Sequence, residues 1–306
     1  MKNRKTTTKS ENSMTSVNDT QYRFFKARSC FIAATLLAMS TAIPPSTATD
    51  EKGWDYTAGI AVLSESVYVG ADETYVAPTP TFRASYNAGA LSYFISLPLE
   101  GVGVTYQSEQ HNVIGSLTLN FGGQRDPDEY SVIGIPVDHS DKTRAFLKGS
   151  PEVETPVEIA ATLLRPMNIG IVGASLAYHP TSVEYAQGGI DDKVKHGLLV
   201  SLSYMKQLPV TKRLSISGMF SMEFMDDRYA EAWYGVERGT ASLDTFQAKA
   251  GLRDAQIAIH ASYNISERVA LSLYGANMVL LGDAQDSPYT VEQNQRTFLA
   301  ELVYRF

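Results

Sequence analysis

Cysteine is almost missing from this chain of 306 residues: there is one, Cys30. It begins the short apolar stretch Cys30–Met39, which follows Lys26 and Arg28 and precedes small residues through Ser46-Thr47-Ala48. Basic residues, a short apolar core and a small-residue exit predict a secretory signal over residues 1–48, with residues 49–306 as the mature domain. The polar leader is long, which fits translation beginning at Met14, and Arg28-Ser29 before the cysteine makes a poor lipoprotein box. Removing the signal removes the only thiol. Disulfides, thiolate catalysis and zinc–thiolate sites are then excluded.

Long apolar runs are missing too. No segment of the mature domain approaches the ~18 apolar residues that a helical span needs. Positive charge is scarce: the signal takes 7 of 26 basic and 2 of 33 acidic residues, leaving 19 against 31 and a net charge of −12. Such an acidic domain is a poor match for nucleic acid or for the surface of an anionic membrane. The five histidines share no spacing that suggests a metal site, and no glycine-rich phosphate cradle opens a helix. No cofactor or metal is expected.

What the chain does have is alternation. Phe298, Ala300, Leu302, Tyr304 and Phe306 fall on one face of a closing strand, with Thr297, Leu299, Glu301, Val303 and Arg305 on the other. A period of two sends alternate residues to opposite sides of a sheet, and an apolar stripe against a mixed one suits a strand between lipid and a wet interior. The same pattern predicts strands at 54–64, 77–86, 90–97, 101–107, 111–121, 155–165, 168–179, 195–207, 212–224, 250–264, 267–281 and 296–306. Short turns alternate with long polar loops at 122–154, 180–194, 225–249 and 282–295. The expected fold is all-β: a transmembrane antiparallel up-and-down barrel of about 12 strands, with short periplasmic turns and long external loops. Ten strands is the alternative if the segment around Pro98 is only a bend.

The aromatics sort accordingly. Trp54, Tyr56, Tyr86, Tyr106, Tyr204, Tyr263, Tyr304 and Phe306 all fall at strand ends on the expected periplasmic side. Rings gather at a bilayer interface, and a soluble sandwich has no reason to sort them. The predicted location is the outer membrane of a Gram-negative cell, among lipid and lipopolysaccharide. Phe298, Leu302, Tyr304 and the terminal Phe306 form the pattern read by the barrel assembly machinery.

Catalysis finds little footing. His260-Ala261-Ser262 places a His and a Ser on one strand face, a pairing that can activate a hydroxyl. Ile257, Ile259, Ala261 and Tyr263 form the lipid stripe there, so His260 and Ser262 point into the barrel, away from lipid. His139-Ser140-Asp141 are adjacent loop residues that cannot form a relay. Asp126, Asp128 and Glu129 offer too few ligands for a dedicated calcium loop.

Two segments resemble a known family. The stretch Leu280 to Pro288, LLGDAQDSP, and the closing strand to Tyr304-Arg305-Phe306 resemble the MipA/OmpV family of outer-membrane proteins. So does Asp226 to Val236, DDRYAEAWYGV, leading to Ala250-Gly251-Leu252-Arg253-Asp254. Weaker matches are Tyr68 to Asp72 with Pro78 and Pro80, Gly101 to Tyr106, and Gly123 to Asp126. The resemblance implies a non-enzymatic barrel acting as a scaffold that links a lytic transglycosylase, a murein hydrolase, with a penicillin-binding protein, a murein synthase. Other members are described as adhesins. From the residues alone, a small-solute channel stands beside the scaffold, because 12 strands enclose a lumen wider than the filled eight-stranded kind.

The family segments also suggest a clasp. Arg228 sits just beyond the ninth expected strand, and Asp283 and Asp286 lie where the eleventh leaves the membrane. Pairing of the guanidinium fork with either carboxylate is expected to fold the two loops over the mouth.

The terminal stripe generates a first prediction. Changing Phe306 to a polar residue lowers the amount of folded protein in the outer membrane, only in part, because Phe298, Leu302 and Tyr304 keep the stripe. Quantifying folded protein in isolated outer membranes checks this; wild-type levels refute the role of the terminal ring.

Overall fold

The computed structural model describes residues 52–98, 100–132, 135–184, 193–237 and 243–306. The export signal expected over 1–48 lies outside them. In chain order the strands are β1 (Gly53–Ser66), β2 (Thr74–Asn87), β3 (Leu91–Leu97), β4 (Gly101–Ser108) and β5 (Val113–Phe121). Four short strands follow, β6 (Gln124–Arg125), β7 (Glu129–Val132), β8 (Ile135–Asp138) and β9 (Glu152–Glu154). Then come β10 (Val157–Met167), β11 (Gly170–Glu184), β12 (Lys193–Pro209), β13 (Leu214–Met225), β14 (Gly251–Asn264), β15 (Val269–Leu280) and β16 (Asn294–Arg305).

β1 to β5 and β10 to β16 form one closed antiparallel barrel of twelve strands. Chain neighbours pair throughout, β5 pairs with β10, and β1 closes on β16 from Thr57↔Arg305 to Ser64↔Phe298. Each expected strand is present. Pro98 sits in the turn between β3 and β4, which pair from Leu91↔Tyr106 to Ser96↔Gly101, so the ten-strand alternative fails. Five periplasmic turns, 88–90, 109–112, 168–169, 210–213 and 265–268, are short.

Alternation decides what faces lipid. Ile60, Val62, Leu117, Leu163, Leu202, Ile257, Ile259, Leu273 and Phe298 are exposed on the outer wall. At its periplasmic rim Trp54 packs against Tyr56 and Tyr86, with ring centroids 5.7 and 5.2 Å apart, and Tyr304 meets Phe306 edge-on at 5.1 Å. Phe306 is 76% exposed and points outward with the stripe.

The inner face has three zones. Near the periplasm it is polar, with Ser215, Ser262 and Ser272 in adjacent register and His260 just above them. At the waist, Leu63, Met205, Met219, Ala258, Tyr274, Ala276 and Leu299 pack as one buried cluster. Even the small side chains there are sealed: Ala61 is 0% and Ala258 1% exposed. Burying each of the larger apolar side chains contributes about 1.5–3 kcal/mol. Above the waist the lining becomes charged and the external loops fold inward.

The wall is uneven. β3 pairs with β2 only from Phe82 to Asn87, whereas β1 pairs with β2 up to Thr74. Thr74–Thr81 therefore has a strand neighbour on one side only, a place suited to Pro78 and Pro80, which lack a backbone N–H. Residues 122–132 and 135–156 fold across this gap. Tyr130 stacks on Tyr75 at 5.1 Å, and helix α1 (Asp141–Leu147) buries Leu147 against the top of β2.

α1 starts where Ser140 accepts the Thr143 N–H. Ser140 in turn donates its N–H and O–H to Glu73 at 3.1 and 2.7 Å, holding α1 to the β1–β2 loop. Burial alone would raise the Glu73 pKa, but hydrogen bonds from Thr143 and Ser140 outweigh it and hold the carboxyl below its ordinary value. A depressed carboxylate pKa stabilises the fold above the ordinary value, and that stability is lost as pH falls through the lowered one. Hydrogen exchange in α1, corrected for intrinsic rate, is expected to speed up only below the ordinary value of 4.5. Glu73→Gln should reproduce the loosening at neutral pH, and unchanged protection in that variant would refute the tie.

Candidate functional site

The candidate site is the charged upper lumen and the helix that covers it. β13 and β14 run in register until Glu223↔Asp254, where the ladder slips and Phe224 pairs with Leu252. Arg253 is the extra residue of this bulge. Strict alternation would place it with Ile257 and Ile259, facing lipid. The bulge turns it inward beside Asp254, so two consecutive residues of one strand face the lumen. Arg253 is 2% exposed.

A buried guanidinium needs its charge matched and its N–H groups paired. Arg253 Nε donates to Asp254 Oδ2 at 2.6 Å, one terminal nitrogen donates to Glu223, and the other to the Tyr229 hydroxyl at 3.0 Å. Across the lumen Glu158 accepts from Asn120 Nδ2 at 2.8 Å and lies 3.3 Å from His179 Nε2. The His179 ring meets the edge of Tyr229 at 5.1 Å. Three carboxylates, one guanidinium and one imidazole thus surround a single tyrosine.

That tyrosine belongs to helix α2 (Asp227–Tyr234), which lies in the connection between β13 and β14. Asp226 caps it by accepting the Tyr229 N–H at 2.8 Å, and the same oxygen accepts the Leu198 N–H of β12 at 3.1 Å. The helix descends onto Gly197: a Cβ there would stand 2.7 Å from the Tyr229 Cβ. Lys195 reaches Glu231 at 3.3 Å. One face of α2 carries Tyr229, Ala230, Trp233 and Tyr234, all buried. Burial pushes the Tyr234 phenol pKa up, keeping it protonated.

The last carbonyls of α2 are capped from other loops. Arg125 donates to the Trp233 carbonyl and lies 3.6 Å over the Tyr289 ring, and Ser287 Oγ donates to the Tyr234 carbonyl at 2.7 Å. Ser287 follows helix α3 (Gly282–Asp286), which sits in the β15–β16 connection. Three external connections therefore meet at one short helix. Between α2 and the wall lies a cavity of ≈ 50 Å³, roofed by Tyr229 and Trp233 and floored by Gln256 and Met278.

The expected clasp takes a different form. Arg228 is exposed and has no ion pair with Asp283, Asp286 or any other described residue. Its place on the first turn of α2 points it outward, opposite the buried face. Asp283 does tie the two loops, but by accepting the Lys249 backbone N–H at 2.8 Å. Asp227 closes its own connection by accepting the Ala250 N–H at 2.7 Å, while Asp286 is exposed. His260 and Ser262 face the lumen near its periplasmic end, as the alternation predicts. Asp126 spends one carboxylate oxygen on its own turn, accepting the Asp128 and Glu129 N–H groups. Among the described residues no group of three His, Cys, Asp or Glu side chains is arranged to hold a metal.

Removing one partner of a buried ion cluster leaves the others uncompensated, at a cost of about 3–5 kcal/mol. Arg253→Met is expected to destabilise by that amount and to increase protease cleavage within 226–250. Tyr229→Phe should cost about 1–3 kcal/mol, and Arg228→Ala close to nothing. Urea midpoints of the folded barrel in detergent rank the three; equal effects of Arg228 and Arg253 refute the assignment.

Comparison with known proteins gives a family. The family described as MltA-interacting protein MipA matches residues 58–306. No curated protein matches the chain in sequence. Among solved structures, an outer-membrane channel from Pseudomonas putida F1 has 10% identity and a TM-score of 0.41, covering 82% of this chain and 96% of that one. The monoaromatic hydrocarbon channel CymD has 10% identity and a TM-score of 0.36, covering 88% and 92%. The toluene transporter TbuX of Ralstonia pickettii has 9% identity and a TM-score of 0.34, covering 83% and 89%.

Proposed function

Since the chain belongs to the MltA-interacting protein MipA family and is an outer-membrane β-barrel, we propose that it is a non-enzymatic docking scaffold for a lytic transglycosylase and a penicillin-binding protein, and not an open pore. One observation carries this reading: packed side chains occupy the inner face at two levels. Buried residues of β1 and β12–β16 pack together at the waist, and α2 packs against the lining above them. A solute path would need both to move.

The outer surface supplies a second line of support. Ile169, Val210 and Ile265 lie in three of the short periplasmic turns and are 61%, 54% and 47% exposed. Apolar groups projecting from the periplasmic rim suit contact with a partner anchored in the same membrane. The turns are short, so such a partner would rest on the rim and not in a groove.

A small-solute channel remains the competing reading, favoured by the charged lining of Glu158, Glu223, Arg253 and Asp254 above the waist. Purified barrel in a planar bilayer separates the two. The scaffold reading expects no stable current steps, together with co-purification of the transglycosylase that weakens in the Ile169→Asp, Val210→Asp double variant. Discrete conductance steps, or co-purification indifferent to those substitutions, would overturn it.

A further inference from the structure

Charge is unevenly placed on this acidic domain. The periplasmic ends of β10 to β15 carry five bases, Arg165, Lys206, Lys212, Arg213 and Arg268, against one acid, Glu267. All five bases are exposed. None has an ion pair among the described residues, whereas Arg83, Lys142, Lys195 and Arg253 elsewhere are each matched by a carboxylate. Met167, Ile169, Leu208, Val210 and Ile265 lie among them and are 47–61% exposed. Bases mixed with apolar groups suit the headgroup layer of a bilayer, where long stems lie on apolar surface and their charges meet phosphate.

Two of the five do not point into the periplasm. Arg165 is in step with Leu163 and Met167 along β10, and Lys206 with Leu202, Tyr204 and Leu208 along β12, so both stand on the lipid-facing wall. Register makes them neighbours: Arg165 pairs with Val172, Val172 pairs with Tyr204, and Lys206 lies two residues further along β12. At about 4.8 Å per strand and 3.4 Å per residue, their Cα atoms are roughly 12 Å apart. Two long side chains span that distance around one phosphate.

The surface between them is shaped. Tyr204 donates its hydroxyl to the Ile169 carbonyl at 2.6 Å, which lays its ring against Gly170, where a Cβ would stand 2.8 Å from the ring. The tyrosine is thus a floor with its hydrogen bond already made. Gly218 is the register partner of Lys206 on β13, and a Cβ there would meet nothing within 4 Å. Ile216 and Phe220 stand on either side along the same outer face, leaving a furrow that suits an acyl chain.

We propose that the outer wall at β10–β13 binds an anionic phospholipid of the periplasmic leaflet, its phosphate between Arg165 and Lys206 over Tyr204 and an acyl chain along Gly218. Headgroup charge decides the choice. Phosphatidylglycerol carries a net negative charge; phosphatidylethanolamine and phosphatidylcholine share the phosphate but add a cation, which the unpaired bases repel. An acidic protein in the periplasm fits less well, because it would approach the turn tips and not two side chains facing sideways into the bilayer. The site is separate from the scaffold reading and is tested on the barrel alone, so either can fail without the other.

Native mass spectrometry tests it on the full folded barrel, incubated in neutral detergent with equimolar phosphatidylglycerol, phosphatidylethanolamine and phosphatidylcholine. Retention of phosphatidylglycerol is expected to exceed that of either other lipid at least fivefold. The Arg165→Gln, Lys206→Gln double variant should lose this preference, and the Lys212→Gln, Arg213→Gln double variant at the turn should keep it. Unboiled samples of both should migrate as folded barrels on a detergent gel. Raising the ionic strength of the incubation should weaken the wild-type preference, a measurement that needs no variant. Equal retention of the three lipids overturns the proposal. So does a preference that survives in the wall variant, is lost only in the turn variant, or ignores salt.

Discussion

A guanidinium sealed inside the lumen sets the terms for the upper half of this barrel. Arg253 cannot stay there without matched charge, and it cannot face inward at all unless β14 departs from strict pleating. The bulge at Glu223/Phe224 makes that departure, Glu223 and Asp254 supply the charge, and Tyr229 takes an N–H from the guanidinium. The tyrosine fixes α2. The two carbonyls at the helix's far end then hold Arg125 and Ser287, and through them two further connections. Loops that would otherwise be long and solvated are gathered around the helix that two buried cations, Arg253 and Arg125, hold.

Much of this architecture can be read from residue order. Period-two stripes place the barrel strands because lipid on one side and a lumen on the other impose opposite demands on adjacent positions. The loops resist the same treatment, since nothing periodic distinguishes a solvated connection from one that turns back into the mouth. Two signals were nonetheless present. Arg253 falls in step with Ile257 and Ile259, an arginine where lipid should be, and only a bulge resolves that conflict. Within DDRYAEAWYGV, Tyr229, Ala230, Trp233 and Tyr234 fall one, four and five positions apart, the apolar spacing of a helix, behind an aspartate suited to capping. Arg228 drew attention as the nearest cation in sequence. It lies on the wrong face of the helix, and charge proximity along the chain carries no information about facing.

Lumen closure and external folding serve one physical end. A barrel of twelve strands encloses space that water will fill unless side chains or loops do. Here the waist uses methionine, tyrosine and small alanines, whose combined shapes leave even Ala61 and Ala258 inaccessible. Above it, aromatic side chains of α2 take over.

The seam between β1 and β16 carries a kinetic consequence. Thr57 pairs with Arg305, so the first strand finds its second neighbour only after the last strand has been made. Such a contact has close to the longest sequence separation the chain allows, and non-local pairing of this kind is slow. Until it forms, both terminal strands expose unpaired edges that can capture any other strand. The growing sheet therefore depends on something that shields its open edges while it waits for its own tail.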